Sequence, residues 1–186
     1  MFARLCLFSI LSMGAFVAPA FSKDGAAPPW AQVGGWQIRV DPGFGNGCFA
    51  SQYFEDGTGI RLGIDANSQR LYLILANPAW KSLEAGKTYP VRFVFDEART
   101  YDSDFAADAW GDAVVLGRFG LSTDFVTDFM ERTGLSVYYR GAPIAHLSLR
   151  NAYAAVAEMA KCQQEMRPAG GGTSASVRPA GDPFSR

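Results

Sequence analysis

The sequence holds a single histidine, His146, among 186 residues. That excludes a multi-histidine metal centre within one chain, because such a centre draws several imidazoles to one ion. It also leaves only one imidazole for any nucleophile–base pair, and no Gly-x-Ser-x-Gly pentapeptide occurs to supply the nucleophile. His146 lies between Ala145 and Leu147 in an alternating pattern, where a structural role is expected. A basic surplus is missing too: 17 Lys+Arg stand against 18 Asp+Glu, a formal net charge of −1. Nucleic-acid binding needs a cationic face, so no nucleic-acid partner is expected. Beyond the N-terminus, no apolar run approaches the roughly 20 residues of a membrane-spanning helix. The glycine-rich run Gly43-Phe44-Gly45-Asn46-Gly47 lacks the Lys-Ser/Thr ending of a phosphate loop and precedes a strand pattern. It reads as a turn, and no cofactor is implied.

What is present begins with an address. Arg4, the apolar stretch Leu5 to Ala18 and the small-x-small order Ala18-Pro19-Ala20 have the layout of a secretory signal peptide, residues 1–22. Cys6 lies inside the apolar stretch rather than at its end, which argues against a lipoprotein. A periplasmic or secreted protein is therefore expected, with no transmembrane span in the mature chain. Removing Cys6 leaves Cys48 and Cys162, an even pair in an oxidising compartment, and these are expected to form a disulfide.

Residues 23–35 read as an extended lead-in, 36–166 as one β-rich globular domain and 167–186 as a disordered tail rich in Gly, Pro, Ala and Ser. Within the domain, Trp36 to Asp41 alternates large and polar side chains, and Ile60, Leu62 and Ile64 fall on one face. Further strand patterns cover Cys48 to Phe54, Leu71 to Leu75, Val91 to Phe95, Ala113 to Phe119, Leu135 to Tyr139 and Ile144 to Leu149. Gly117 is a bulge position, and Gly134 a helix stop. One helix is expected from a Ser122, Thr123 or Asp124 cap, and a second from Asn151 to about Met166. The class is α+β: a mostly antiparallel sheet, sandwich-like or barrel-like, of 6–8 strands with two helices, one near the C-terminus.

The stretch Asp96 to Asp112 carries Asp96, Glu97, Asp102, Asp104, Asp108 and Asp112 and reads as a solvated acidic loop. No metal is expected. Asp102, Asp104 and Asp108 are the residues that would hold a hard cation, but they lack the twelve-residue register of a calcium loop. Trp80, Tyr101, Phe105 and Trp110 flank the polar connections and could line a ligand groove. Burial in the core is the commoner fate of such rings.

The run Leu71 to Asp96 (L-Y-L-I-L-A-N-P-A-W-K-S-L-E-A-G-K-T-Y-P-V-R-F-V-F-D) resembles a segment of small exported Gram-negative envelope proteins of unknown function. The ending Leu147-Ser148-Leu149-Arg150-Asn151-Ala152 through Cys162 is similar to the Leu-x-Leu-x-Gly-then-helix ending of the invasion-associated locus B family, with Asn151 where glycine is usual. The resemblance implies an envelope setting and a β-rich fold, and implies no activity.

The expectation is an exported binding or accessory protein without catalysis, its partner an envelope protein or ligand. The alternatives are a small envelope hydrolase using carboxylates of residues 96–112 and a structural envelope protein. Export should remove the first 20 to 22 residues. The intact mass of the protein from an envelope fraction checks this, and a mass that still includes Met1 to Ala18 contradicts it.

Overall fold

The computed structural model describes residues 29–167. The expected signal peptide, the first part of the expected lead-in and the expected tail beyond residue 167 lie outside the described residues. Ten strands form one antiparallel sheet: β1 (Pro29–Val33), β2 (Trp36–Asp41), β3 (Gly47–Tyr53), β4 (Gly59–Asp65), β5 (Arg70–Ala76), β6 (Thr88–Phe95), β7 (Arg99–Trp110), β8 (Ala113–Phe119), β9 (Gly134–Tyr139) and β10 (Ala142–Ser148). Their order is β1-β2-β3-β4-β5-β8-β7-β6-β9-β10. The chain runs as a meander to β5, skips two places to β6, returns through β7 and β8, and then pairs β9 on the far side of β6. Helices α1 (Thr123–Glu131) and α2 (Ala152–Met166) complete the fold.

Alternation puts one side of every central strand into a shared core. Trp36 and Ile38, Ala50, Ile60 and Leu62 from the first half meet Phe93, Phe95, Leu135, Val137 and Leu147 from the second. The sheet curls so that both halves bury the same face. Trp36, fully buried, places its ring 5.7 Å from that of Phe129 on α1, edge-on. Its indole N–H donates to the Arg150 carbonyl at 3.0 Å, so a buried donor is satisfied.

Helix α1 starts where the Ser122 hydroxyl accepts the Phe125 N–H at 3.2 Å, and Phe125 and Phe129 are its buried face. It ends at Arg132; Gly134 is the first residue of β9 rather than the stop, and its N–H donates to Asp96. Helix α2 buries Ala152, Ala155, Met159 and Cys162 against β1, β2 and β3. Asn151 precedes it, but its side chain makes no capping bond. Its φ of 65° is left-handed, the region that glycine and asparagine tolerate best, which explains why asparagine stands at a position where glycine is usual. Cys162 is disulfide-bonded to Cys48 of β3 across 114 residues, with Cα atoms 6.0 Å apart. The Gln163 amide oxygen accepts the Cys48 N–H at 2.8 Å beside the bridge.

The outer face of β3, β4 and β5 is buried as well. Arg61 points outward from β4 yet is completely buried. It pairs with Asp41 at the end of β2, and its Nε donates to the Tyr72 hydroxyl at 2.8 Å. The guanidinium carbon lies 3.6 Å from the Phe49 ring centroid, with Phe44, Tyr72 and Trp110 rings at 5.2–5.6 Å. Burial pushes the Tyr72 phenol well above its ordinary pKa, against the opposite pull of Arg61. Gly63, paired with Tyr72, leaves the space for that ring: a Cβ there would strike it and come within 2.8 Å of the Phe49 Cβ.

Ten strands exceed the six to eight expected. One addition is β1, which the lead-in reading took as merely extended. The other is β7, formed by the stretch read as an acidic loop. Its inner positions Tyr101, Phe105 and Ala107 alternate with Thr100, Asp102, Asp104 and Asp108, so the pattern of period two is there. Aspartate is a poor strand former, and its density hid that period. Gly117 is regular, opposite Ile74 and Ala106, and makes no bulge.

Asp41→Ala leaves a buried guanidinium without its carboxylate and should cost roughly 3–5 kcal/mol. Urea unfolding measures the loss. Replacing Asp41 and Arg61 together by apolar residues should recover part of it, because no unpaired charge is then left inside.

Candidate functional site

The four aromatics picked out from the sequence do not share a groove. Trp80, in the β5–β6 connection, lines a hollow of about 360 Å³ with Asn77, Lys81, Leu83 and Asp112. Tyr101 and Phe105 face inward from β7 and border a cavity of about 200 Å³ beside Phe125. Phe105 is buried against Phe93, their ring centroids 5.2 Å apart. Trp110, five residues farther along β7 and on its opposite face, belongs to the aromatic surround of Arg61.

Tyr101 has a polar task. Its hydroxyl donates to Asp128 of α1 at 2.5 Å, while Arg99 and Arg132 each place Nε 3.2 Å from the same carboxylate. The Tyr101 hydrogen bond, then those of Arg132 and Arg99, hold the Asp128 carboxyl below its usual pKa despite some desolvation. Asp96 is likewise held low, chiefly by the Thr133 N–H, as it closes the turn into β9.

Asp102, Asp104 and Asp108 stand on the solvent side of β7. Asp102 accepts two bonds from Arg92, at 2.7 and 3.0 Å, and each partner shifts the other toward its charged form. Among the described residues, no three His, Cys, Asp or Glu side chains converge as a metal site would require. His146 is exposed on β10, its Nδ1 3.0 Å from the Ser136 hydroxyl, and among the described residues no acid is hydrogen-bonded to it.

A wider concavity is elsewhere, an open groove of about 870 Å³ on the outer face of β6, β7 and β9. Register builds it. Arg92 is opposite Asp102 on one side and Tyr138 on the other, so the three form a row across the sheet. Arg140 enters from the two-residue β9–β10 turn, where Arg140 and Gly141 both have positive φ, 50° and 80°. Arg140 lies with its guanidinium carbon 5.2 Å from the Tyr139 ring. Arg118 enters from the end of β8, where its Nη1 donates to the Asp104 carbonyl at 3.3 Å. Pro90 and Val94 add apolar surface. Pro90 falls just where β6 has lost its β9 partner, so the ladder loses nothing by its missing N–H.

Sequence reasoning missed this groove. Residues 92, 118 and 140 lie on separate strands or turns and form no local charge run. The strand order brings them together, and the sequence carries no direct signal of that order.

The Asp128 cluster gives a pH dependence. A carboxyl with a depressed folded-state pKa adds stability that is complete above its ordinary value of 3.8 and is lost as the pH falls through the depressed one. Asp128→Asn should lower the urea midpoint at pH 7 and leave a shallower decline on acidification. Midpoints measured from pH 7 to pH 2 check this; parallel curves for the two proteins would contradict it.

No protein-family model and no curated protein matches the chain. Among solved structures, it is similar to invasion associated protein B from Bartonella henselae, with a TM-score of 0.55. Identity is 12%, and the match covers 72% of this chain and 97% of that one. The likeness is one of fold, and it agrees with the family resemblance in the C-terminal segment.

Proposed function

We propose that the protein is exported to the bacterial envelope, periplasmic or secreted, and acts there as a binding or accessory protein without catalysis. The mature chain begins near Phe21 or Lys23, carries the domain of residues 36–166 with β1 added to its sheet from the lead-in, and ends in a tail from 167. The observation that carries the reading is the arginine groove. It offers charged groups and Tyr138 from four strands and a turn, around a concavity of about 870 Å³. Concave sites with a few convergent polar groups are where small ligands and partner segments bind. The Cys48–Cys162 bridge suits an oxidising compartment, and the fold shared with invasion associated protein B is consistent with an envelope protein. The carboxylate hydrolase gains no comparable support: Asp102 is engaged by Arg92 and Asp96 by the Thr133–Gly134 backbone.

A photo-crosslinking residue in place of Tyr138, inside the groove, tests the reading in living cells. Tyr153 on α2 is exposed and outside the groove, and so serves as the control position. Discrete adducts from position 138 and none from 153 are expected. No adduct from either position would favour a purely structural envelope role.

A further inference from the structure

We infer that the arginine groove is a binding site for a zwitterionic phosphate, a phosphate group carrying an ammonium a short distance away. This rests on the binding reading given above and specifies its ligand class.

The polar groups of the groove divide by what they already satisfy. Arg92 and Asp102 neutralise each other through two parallel bonds, the fork geometry that matches one guanidinium to one carboxylate. Arg118 gives one N–H to a backbone carbonyl, and Arg140 lies near the Tyr139 ring. Among the described residues neither has a carboxylate partner, although each guanidinium has five N–H donors. The Asp104 carboxylate lines the same groove and has no cationic partner among those residues. Two cations and one anion are therefore left over in one concavity. The chain as a whole is nearly balanced, 17 basic against 18 acidic residues, so the excess is local.

A simple carboxylate would be served by one arginine, as Asp102 already is. Two guanidinium forks entering from different elements, with Tyr138 also at the wall, suit an anion whose oxygens point in several directions. Phosphate has that shape. Asp104 would repel a bare phosphate, yet it would attract an ammonium placed next to one. A zwitterion thus converts the single unfavourable charge of the groove into a contact. Pro90 and Val94 offer apolar surface to the carbons between the two charges. The volume, about 870 Å³, is in the range of small-ligand sites. The groove is open to solvent, so binding should weaken with salt.

Such a group occurs free, as phosphoethanolamine, and as the headgroup of phosphatidylethanolamine. Titration calorimetry of the folded protein with phosphoethanolamine, inorganic phosphate and ethanolamine separates the charges. Phosphoethanolamine should bind more tightly than phosphate, and ethanolamine not measurably. Arg118→Gln and Arg140→Gln should each weaken both phosphates by roughly tenfold, the usual scale of a lost hydrogen bond to a charged group. Asp104→Asn should act with opposite signs, weakening phosphoethanolamine and strengthening inorganic phosphate. Arg150→Gln, outside the groove, should change nothing. Arg140 is exposed on a turn, so its variant remains informative should Arg118→Gln unfold. Co-flotation with vesicles of phosphatidylglycerol plus phosphatidylethanolamine, absent with phosphatidylglycerol alone, would identify the lipid as the source. Binding of the soluble compound without flotation would identify the free one. The inference is overturned if phosphoethanolamine does not bind at millimolar concentration, if Arg140→Gln leaves its affinity unchanged, or if Asp104→Asn moves both phosphates in the same direction. Groove-specific crosslinks persisting alongside such a result would retain the binding role and reject only this ligand class; losing both would reject both.

Discussion

One inner face shared by ten strands is the constraint on which the architecture depends. An antiparallel sheet of that width cannot leave its apolar side in water, and burying it requires the two halves to curl toward each other. Trp36 is where the closure is most visible. It comes from β2, it packs on Phe129 of α1, and it bonds to the Arg150 carbonyl just before α2. Three segments distant in sequence thereby meet at one buried ring. Helix α2 then covers β1 to β3, and the bridge from Cys162 to Cys48 ties that cover to the sheet beneath it.

Once the inner face is used for the core, function has to be sought on the outer one, and that face is divided. Over β3, β4 and β5 it is sealed by aromatic rings around Arg61. The guanidinium is held by charge, by a phenol and by π-faces together, an environment that satisfies a buried cation without admitting water. Over β6, β7 and β9 the outer face stays open, and its arginines are in contact with solvent. The same residue type thus serves two ends. Burial makes Arg61 a structural element, and exposure leaves Arg118 and Arg140 available.

The strands of strong alternation, from Trp36 to Asp41 and from Ile60 to Ile64, were legible in the sequence because one face is apolar and the other is not. Both helices were legible from their stripes, and the Cys48–Cys162 pair from its even count. The acidic β7 was not, because its outer positions carry charges that a propensity-based reading assigns to loops. Its inward Tyr101 and Phe105 stand out in the sequence as aromatics that could line a groove or enter the core, and they face the core and α1. Arg61 was unreadable as a buried charge: its neutraliser, Asp41, lies two strands away, and the rings around it come from four segments. The groove was unreadable for a related reason. Its arginines span 49 residues of sequence, from Arg92 to Arg140, and become neighbours only through the placement of β6 between β7 and β9.

The position of the two cysteines has a temporal side. A chain made from its N-terminus exposes Cys48 long before Cys162 exists, and the four strands around Cys48 pair with near neighbours in sequence. That meander can assemble early, through short loops that are quick to close. The bridge needs the final helix, which carries Cys162, to be seated on β3. Until Cys162 is made Cys48 has no native partner, so an oxidant acting before then can couple it only to some other thiol. The covalent lock therefore waits for the C-terminal helix, and it can close only when that helix lies on the strand that carries Cys48.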